Sequence, residues 1–419
     1  MNTVQLDHDV FQTTAPNGVT VLTERVEGVR SVAVGVWVRT ASAHEPRAQM
    51  GISHLLEHMV FKGTERRTAR EIALSLEARG GALDAYTSRD TTSFQARVLD
   101  RDLPRAIDIL TDLVRRPVLR EEDLHLERNV ILEEINTVLD TPDDLVFDLS
   151  AAALWPDHAY GFTILGTHET VGELSARDLR SRHGAAYVPA NCVIAAAGNV
   201  DHGRLLELLA AEDWFGNGAA SSPPSLAAVP PAVRGAEVHH ARDTTQVHLV
   251  FATDSVRFAD PRRFAVMVLS NVLGGGMSSR LFQRVREELG LAYSVFSFTS
   301  FFQATGMTGL YVGTSPRNAL AAAEAIRGEL ARLSGTGLEP GELADAKEQT
   351  QGQLMLALEG PSARMYRLAS CAIYGDPYRS LDDMLATIGA LAPDDVGAVA
   401  AEYFSPDRQT LVWLGPNTA

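Results

Sequence analysis

One order of elements occurs twice in this chain, and it constrains the fold more than any single motif. Ser31–Val38 (Ser-Val-Ala-Val-Gly-Val-Trp-Val) is an apolar run of strand length. A helical stretch around Gly51–Phe61 follows and stops near Gly63. A second helix, Ala69–Arg79, opens on the capping box Thr68-Ala-Arg-Glu71 and closes on Gly80-Gly81. Strands at Leu83–Ser88 and Thr92–Leu99 and an amphipathic helix at Leu103–Arg115 complete the unit. The same order returns as a strand at Gln246–Phe251, helices at Arg262–Leu273 and Ser279–Leu289, strands at Ala292–Phe301 and Thr305–Val312, and a helix at Arg317–Leu333. Ahead of the first copy, residues near 10–25 alternate around Asn17-Gly18 and read as a hairpin.

Between the copies lies Ala219-Ala-Ser-Ser-Pro-Pro-Ser-Leu-Ala-Ala-Val-Pro-Pro231, a composition that resists packing. The expected class is α+β (an α/β sandwich). It consists of two related domains, 1–216 and 236–419, joined by a linker at 217–235. Each is a mainly antiparallel sheet packed with helices. A length of 419 residues suits two domains of roughly 200 residues.

The first copy carries Gly51-Ile-Ser-His54-Leu-Leu-Glu57-His58. His54 and His58 are four residues apart, so on a helix both imidazoles leave one face and can reach one metal ion. Glu57 beside them can stay off the metal and take a proton from a water that the metal polarises. The corresponding stretch of the second copy, Ser270-Asn-Val-Leu-Gly-Gly-Gly-Met-Ser-Ser279, has no His or carboxylate, which predicts one site per chain.

A catalytic zinc takes three protein ligands, and the helical stretch Glu121–Leu139 offers several carboxylates. Glu133 shares its face with Asn129, Asn136 and Thr137. Glu134 shares its face with Val130, Ile131 and Val138 and is expected to point inward as the third ligand. Glu127, two turns earlier on nearly the same face, can orient a ligand or the water. Zinc follows from ligand type, with Mn²⁺ or Co²⁺ also compatible.

Composition removes other classes. A net charge of −16 disfavours nucleic acid and anionic membranes and favours cationic ligands such as basic peptides. No apolar run is long enough to cross a bilayer, and the first residues lack a signal-peptide pattern, so the cytoplasm is expected. Cys192 and Cys371 are far apart and imply neither a disulfide framework nor a thiolate metal site.

With 75 residues between His58 and Glu134, and Glu134 ending an E-x6-E helix, the pattern resembles the pitrilysin-type zinc metallopeptidases, or inverzincins. That group includes insulin-degrading enzyme, mitochondrial processing peptidase and short bacterial members. Gly51-x-x-His54-Leu-Leu-Glu57-His58-Met-x-Phe61-Lys-Gly-Thr64, Gly80-Gly81-x-x-x-Ala85-Tyr-Thr87, Glu127-Arg-x-Val-x-x-Glu-Glu134-Ile and Arg286-x6-Tyr293 all look like family motifs.

The resemblance implies one zinc on His54, His58 and Glu134, Glu57 as general base and Glu127 in support. It implies an edge strand at Ala85-Tyr86-Thr87 to which the substrate peptide adds. It also implies an Arg286/Tyr293 pair that contacts substrate and the developing oxyanion. Family members generally carry Asn where Asp84 stands. In two-domain members the Arg/Tyr pair reaches the zinc from the facing half of a closed chamber. For a chain of this length that half is expected from another subunit, most simply in a homodimer, with a heterodimer as the alternative. The expected function is a zinc endopeptidase acting on extended peptides or presequence-like segments; the competing reading is a non-catalytic peptide-binding or scaffold subunit. Without the resemblance, Arg286 and Tyr293 read as a helix-surface Arg and a strand-core Tyr. His158 and His183 read as loop residues, His239-His240 as a strand start, and Gly274–Gly276 as a hinge or close-packing turn.

Overall fold

The computed structural model describes residues 1–216, 228, 229 and 231–416. Most of the Pro/Ser/Ala stretch read as a linker therefore lies outside the described residues. The chain forms two compact units, Met1–Ile135 with Thr163–Leu226 and Ala357–Tyr378, and Asn136–Phe162 with Ala227–Leu356 and Arg379–Ala419.

The first unit is built on a seven-stranded sheet of β1 (Asn2–Asp7), β2 (Val10–Thr14), β3 (Thr20–Arg25), β4 (Ser31–Val38), β5 (Ala82–Thr87), β6 (Thr92–Leu99) and β7 (Cys192–Gly198). Its order is β1-β2-β3-β7-β4-β6-β5. Only β3 and β7 run parallel; the other neighbours are antiparallel. The central strands β4 and β7 are buried almost throughout, as their unbroken apolar sequences require of strands covered on both faces. On one face lie helices α1 (Ile52–Val60), α2 (Ala69–Glu77) and α3 (Leu103–Arg115). α3 buries Leu103, Ala106, Ile107, Leu110, Leu113 and Val114 at helical spacing. α4 (Glu121–Leu139) follows.

The other face is covered by a helix from far along the chain, Pro361–Tyr374. Its Met365, Leu368, Ala369 and Ile373 pack on Leu22, Ala33, Trp37, Val193, Ala195 and Ala197. Each large apolar side chain so buried contributes about 1.5–3 kcal/mol. Arg364 pairs with the buried Glu24 of β3 and ties this helix to the sheet.

The second unit has β8 (Glu237–Ala241), β9 (Val247–Ser255), β10 (Ala292–Phe301), β11 (Gly306–Thr314) and β12 (Thr410–Gly415) in the order β10-β11-β9-β12-β8. Its one parallel pair is β8 and β12. This order matches β5-β6-β4-β7-β3 strand for strand, including the parallel pair, so the repeated element order is a repeated α+β topology. The sheet of this unit also takes a helix from the other half of the sequence, α5 (Pro142–Leu154), which packs on β9 and β12.

The hairpin at Asn17-Gly18 and the capping box at Thr68 and Glu71 form as expected. The segment read as a helix at Ser279–Leu289 is instead a π-helix over Phe282–Glu288. Gly274 is a close-packing position, where a Cβ would lie 2.3 Å from the Ser297 amide nitrogen.

Candidate metal centre and active site

α1 carries the histidine motif because its apolar residues leave the opposite face free. Ile52, Leu55, Leu56, Met59 and Val60 are buried, and His54 and His58 are the partly buried pair between them. Gly51 at the start of α1 has φ +93°, and a Cβ there would lie 2.6 Å from the Leu165 carbonyl oxygen, so glycine is required. No side chain of α1's own first turn caps it. The buried Glu45 carboxylate accepts from the N–H groups of Gly51 and Ser53, both at 2.8 Å. Burial pushes the Glu45 carboxyl upward against these bonds. Arg182, from the helix Ala176–Ala186, donates to the carbonyls of Ala41 and His44 and to the Ser53 hydroxyl, fixing the loop that delivers Glu45. Sequence reasoning missed Glu45 and Arg182.

His54 and His58 stand with ring centroids 4.6 Å apart. Nε2 of each lies 3.7 Å from the same oxygen of Glu134, Oε2. The three ligand atoms fall within 4.8 Å of one another, and among the described residues no other group of three His, Cys, Asp or Glu side chains is so placed.

Glu134 corrects one expectation. Its side chain is 40% exposed, and Val130, taken to share a buried face with it, is itself 45% exposed. The buried face of α4 is Leu124, Glu127, Ile131 and Ile135. Glu134 sits at the margin of that face, where it meets the histidines and not the apolar core.

Glu127 is buried. It accepts from His58 Nδ1 at 2.9 Å and pairs with Lys62, a residue of the motif to which no role was attached. Burial would raise its carboxyl, but the bonds from His58 and Lys62 outweigh that and hold it below the ordinary range. With Nδ1 bonded to Glu127, His58 keeps Nε2 on the side of Glu134. Burial and the neighbouring His58 push His54 down to about 4, so its ring is neutral near pH 7, the form a metal takes. His54 Nδ1 is buried without a hydrogen-bond partner. Two imidazole nitrogens and one carboxylate oxygen converging on one point, with His58 held by Glu127 and His54 kept neutral by burial, fit a catalytic zinc.

Glu57 is buried and accepts a 2.5 Å hydrogen bond from the Thr87 hydroxyl at the end of β5. Burial pushes its carboxyl above the ordinary carboxylate range; Thr87 and His58 oppose the shift, and Asp84 and Glu134 add to it. β5 is the outer strand of its sheet and, among the described residues, pairs only with β6, so Ala85, Tyr86 and Thr87 lie on a free edge.

In the second unit Arg286 and Tyr293 do meet. The guanidinium lies 4.6 Å from the Tyr293 ring and 4.6 Å from the Phe282 ring, and Nη1 donates to the Tyr293 carbonyl at 3.1 Å. Tyr293 is 78% exposed and is not the core residue that an unassigned strand tyrosine would be. His183, expected in a loop, lies on the helix Ala176–Ala186 and bonds the Val114 carbonyl. His158 accepts the Tyr160 N–H, and His239 stacks on Trp413.

A repeated α+β fold in which, among the described residues, one repeat holds a His-His-Glu donor set beside a buried carboxylate defines a class of two-repeat proteins with a candidate metal site in one repeat. The chain belongs to the M16 peptidase family: residues 20–168 match the model described as "Insulinase (Peptidase family M16)" and residues 173–350 match "Peptidase M16 inactive domain". It is 40% identical to an uncharacterized zinc protease of Streptomyces coelicolor over 97% of this chain and 90% of that one. It is 38% identical to the uncharacterized zinc protease YmxG of Bacillus subtilis, over 94% and 95%. Among solved structures, a protease from Helicobacter pylori has the same fold, with TM-score 0.89 and 23% identity over 97% of this chain and 99% of that one. A peptidase M16 inactive domain from Pseudomonas fluorescens superposes with TM-score 0.89 at 21% identity, covering 98% of each.

Proposed function

We propose that this chain is a zinc-dependent endopeptidase that takes an extended peptide onto the free edge of β5 and hydrolyses it beside His54, His58 and Glu134. The observation that carries this reading is the bond from Thr87 to Glu57, which joins the edge strand to the base next to the donor set. Strand addition binds the main chain of any extended peptide and leaves side-chain preference to pockets. Zinc, when held by His54, His58 and Glu134, supplies Lewis acidity toward the scissile carbonyl and an attacking water. Glu57 takes the proton of that water and returns it to the leaving amine; a carboxyl raised by burial is suited to both steps. Glu127 fixes the His58 ring.

Arg286 and Tyr293 are assigned to the oxyanion and the substrate, and a second copy of the chain is assigned as the other half of the chamber. A cation and a phenol both stabilise negative oxygen. Zinc-loaded protein is expected to cleave a quenched, unstructured peptide, to stop with a chelator and to recover with added zinc. No cleavage of several peptides by zinc-loaded protein would favour the non-catalytic or missing-partner reading. Mixing Glu57→Gln with Arg286→Ala subunits tests the shared chamber, since recovery of activity requires sites completed in trans.

A further inference from the structure

The Asp84 side chain occupies the edge on which the proposed substrate strand would lie. The Ser88 N–H donates to the Thr91 carbonyl at 2.8 Å, closing the β5–β6 hairpin with a bonded pair. Bonded and non-bonded pairs alternate along an antiparallel ladder. With the register Thr87↔Thr92, Tyr86↔Ser93 and Ala85↔Phe94, the pair Ala85↔Phe94 is non-bonded. The N–H and C=O of Ala85 therefore point away from β6 to the free edge. That N–H already has an acceptor, because it donates to Asp84 Oδ1 at 2.9 Å.

Resting on the strand-addition reading above, we propose that Asp84 is a specificity-determining residue that controls admission of peptides to the β5 edge. An incoming strand needs the Ala85 N–H and must displace the Asp84 carboxylate from it. Once displaced, the carboxylate remains beside the peptide and disfavours acidic residues at that register, while main-chain bonding still admits neutral sequences. Asparagine at this position retains an acceptor oxygen but no charge, so its bond to Ala85 is weaker and its effect on acidic peptides is absent. An aspartate bonded to its own strand also blunts an exposed edge against indiscriminate pairing.

Two readouts test this in the zinc-loaded full chain. Hydrogen exchange of the Ala85 amide, corrected for intrinsic rate, is expected to be about fivefold slower in wild type than in Asp84→Ala, with Asp84→Asn between them. Peptide affinity is then measured in a Glu57→Gln background, where peptides are held without cleavage. Asp84→Ala is expected to tighten a neutral peptide about fivefold and its glutamate-bearing counterpart more, and Asp84→Asn to abolish the discrimination between the two. Equal exchange rates, or peptides bound equally by wild type and Asp84→Ala, would overturn the role of Asp84 and leave strand addition standing. Absence of peptide binding in every variant would overturn strand addition itself, and the role of Asp84 with it.

Discussion

Glu45 holds the helix that carries two of the proposed metal ligands, His54 and His58. Its carboxylate is the acceptor for two buried N–H groups at the start of α1. Glu45→Ala removes both bonds. Loss of a helix cap costs about 1 kcal/mol, and each buried donor left unsatisfied costs about 1–3 kcal/mol. Removing a buried carboxyl also relieves its own desolvation, the effect that pushes it upward here. The net expectation is a loss of about 2–4 kcal/mol in urea unfolding of the zinc-free chain. Glu45→Gln keeps one acceptor oxygen and is expected to lose about half as much. Because His54 lies in the first turn of α1, zinc affinity measured against a fluorescent chelator should weaken roughly tenfold in Glu45→Ala. A variant within about 0.5 kcal/mol of wild type, with unchanged zinc affinity, would refute the assignment of Glu45 as the anchor of α1.

Glu127→Ala should weaken zinc binding about 10–100-fold in the same competition assay, by freeing the His58 ring and stranding Lys62. Burial and the charge of Arg182 push His44 down to about 4, so the native state holds it neutral where the unfolded chain takes up a proton. Its contribution to stability is present above pH 6.5 and lost as pH falls toward 4, at most on the order of 3 kcal/mol, and His44→Gln should flatten that part of the urea-stability profile. Leu368→Ala, in the distant helix that covers the first sheet, should destabilise by about 2–5 kcal/mol in thermal or urea unfolding, whereas a helix only loosely applied to the sheet would give under 1 kcal/mol.

The sequence is legible where the chemistry is local. His54, Glu57 and His58 are placed by one helical turn, and the capping box and both strand–strand–helix runs follow from short patterns. Glu127 and Glu134 are readable as a pair because seven residues are two turns. The burial of Glu134 is not readable that way, since which stripe of α4 faces the core is decided by its neighbours; Val130 is apolar and exposed all the same. Glu45 and Arg182 escape notice because their partners are main-chain groups, amides at the start of α1 for Glu45 and loop carbonyls more than a hundred residues away for Arg182. The two helices that cover sheets built from the other half of the sequence are likewise invisible. Periodicity tells that the helix Pro361–Tyr374 has an apolar face, not which sheet receives it. Asp84 is visible as a departure from a motif, but its bond to Ala85 depends on which way an edge-strand amide points.

The most direct test of the metal centre separates holding the metal from using it. Zinc stoichiometry and peptide turnover should be measured together for wild type, His58→Ala and Glu57→Gln. Glu57→Gln is expected to retain zinc with near wild-type affinity and to lose turnover by at least about a thousandfold, while His58→Ala loses both. Turnover in Glu57→Gln within about tenfold of wild type, or zinc retained by His58→Ala, would contradict the roles assigned to these residues.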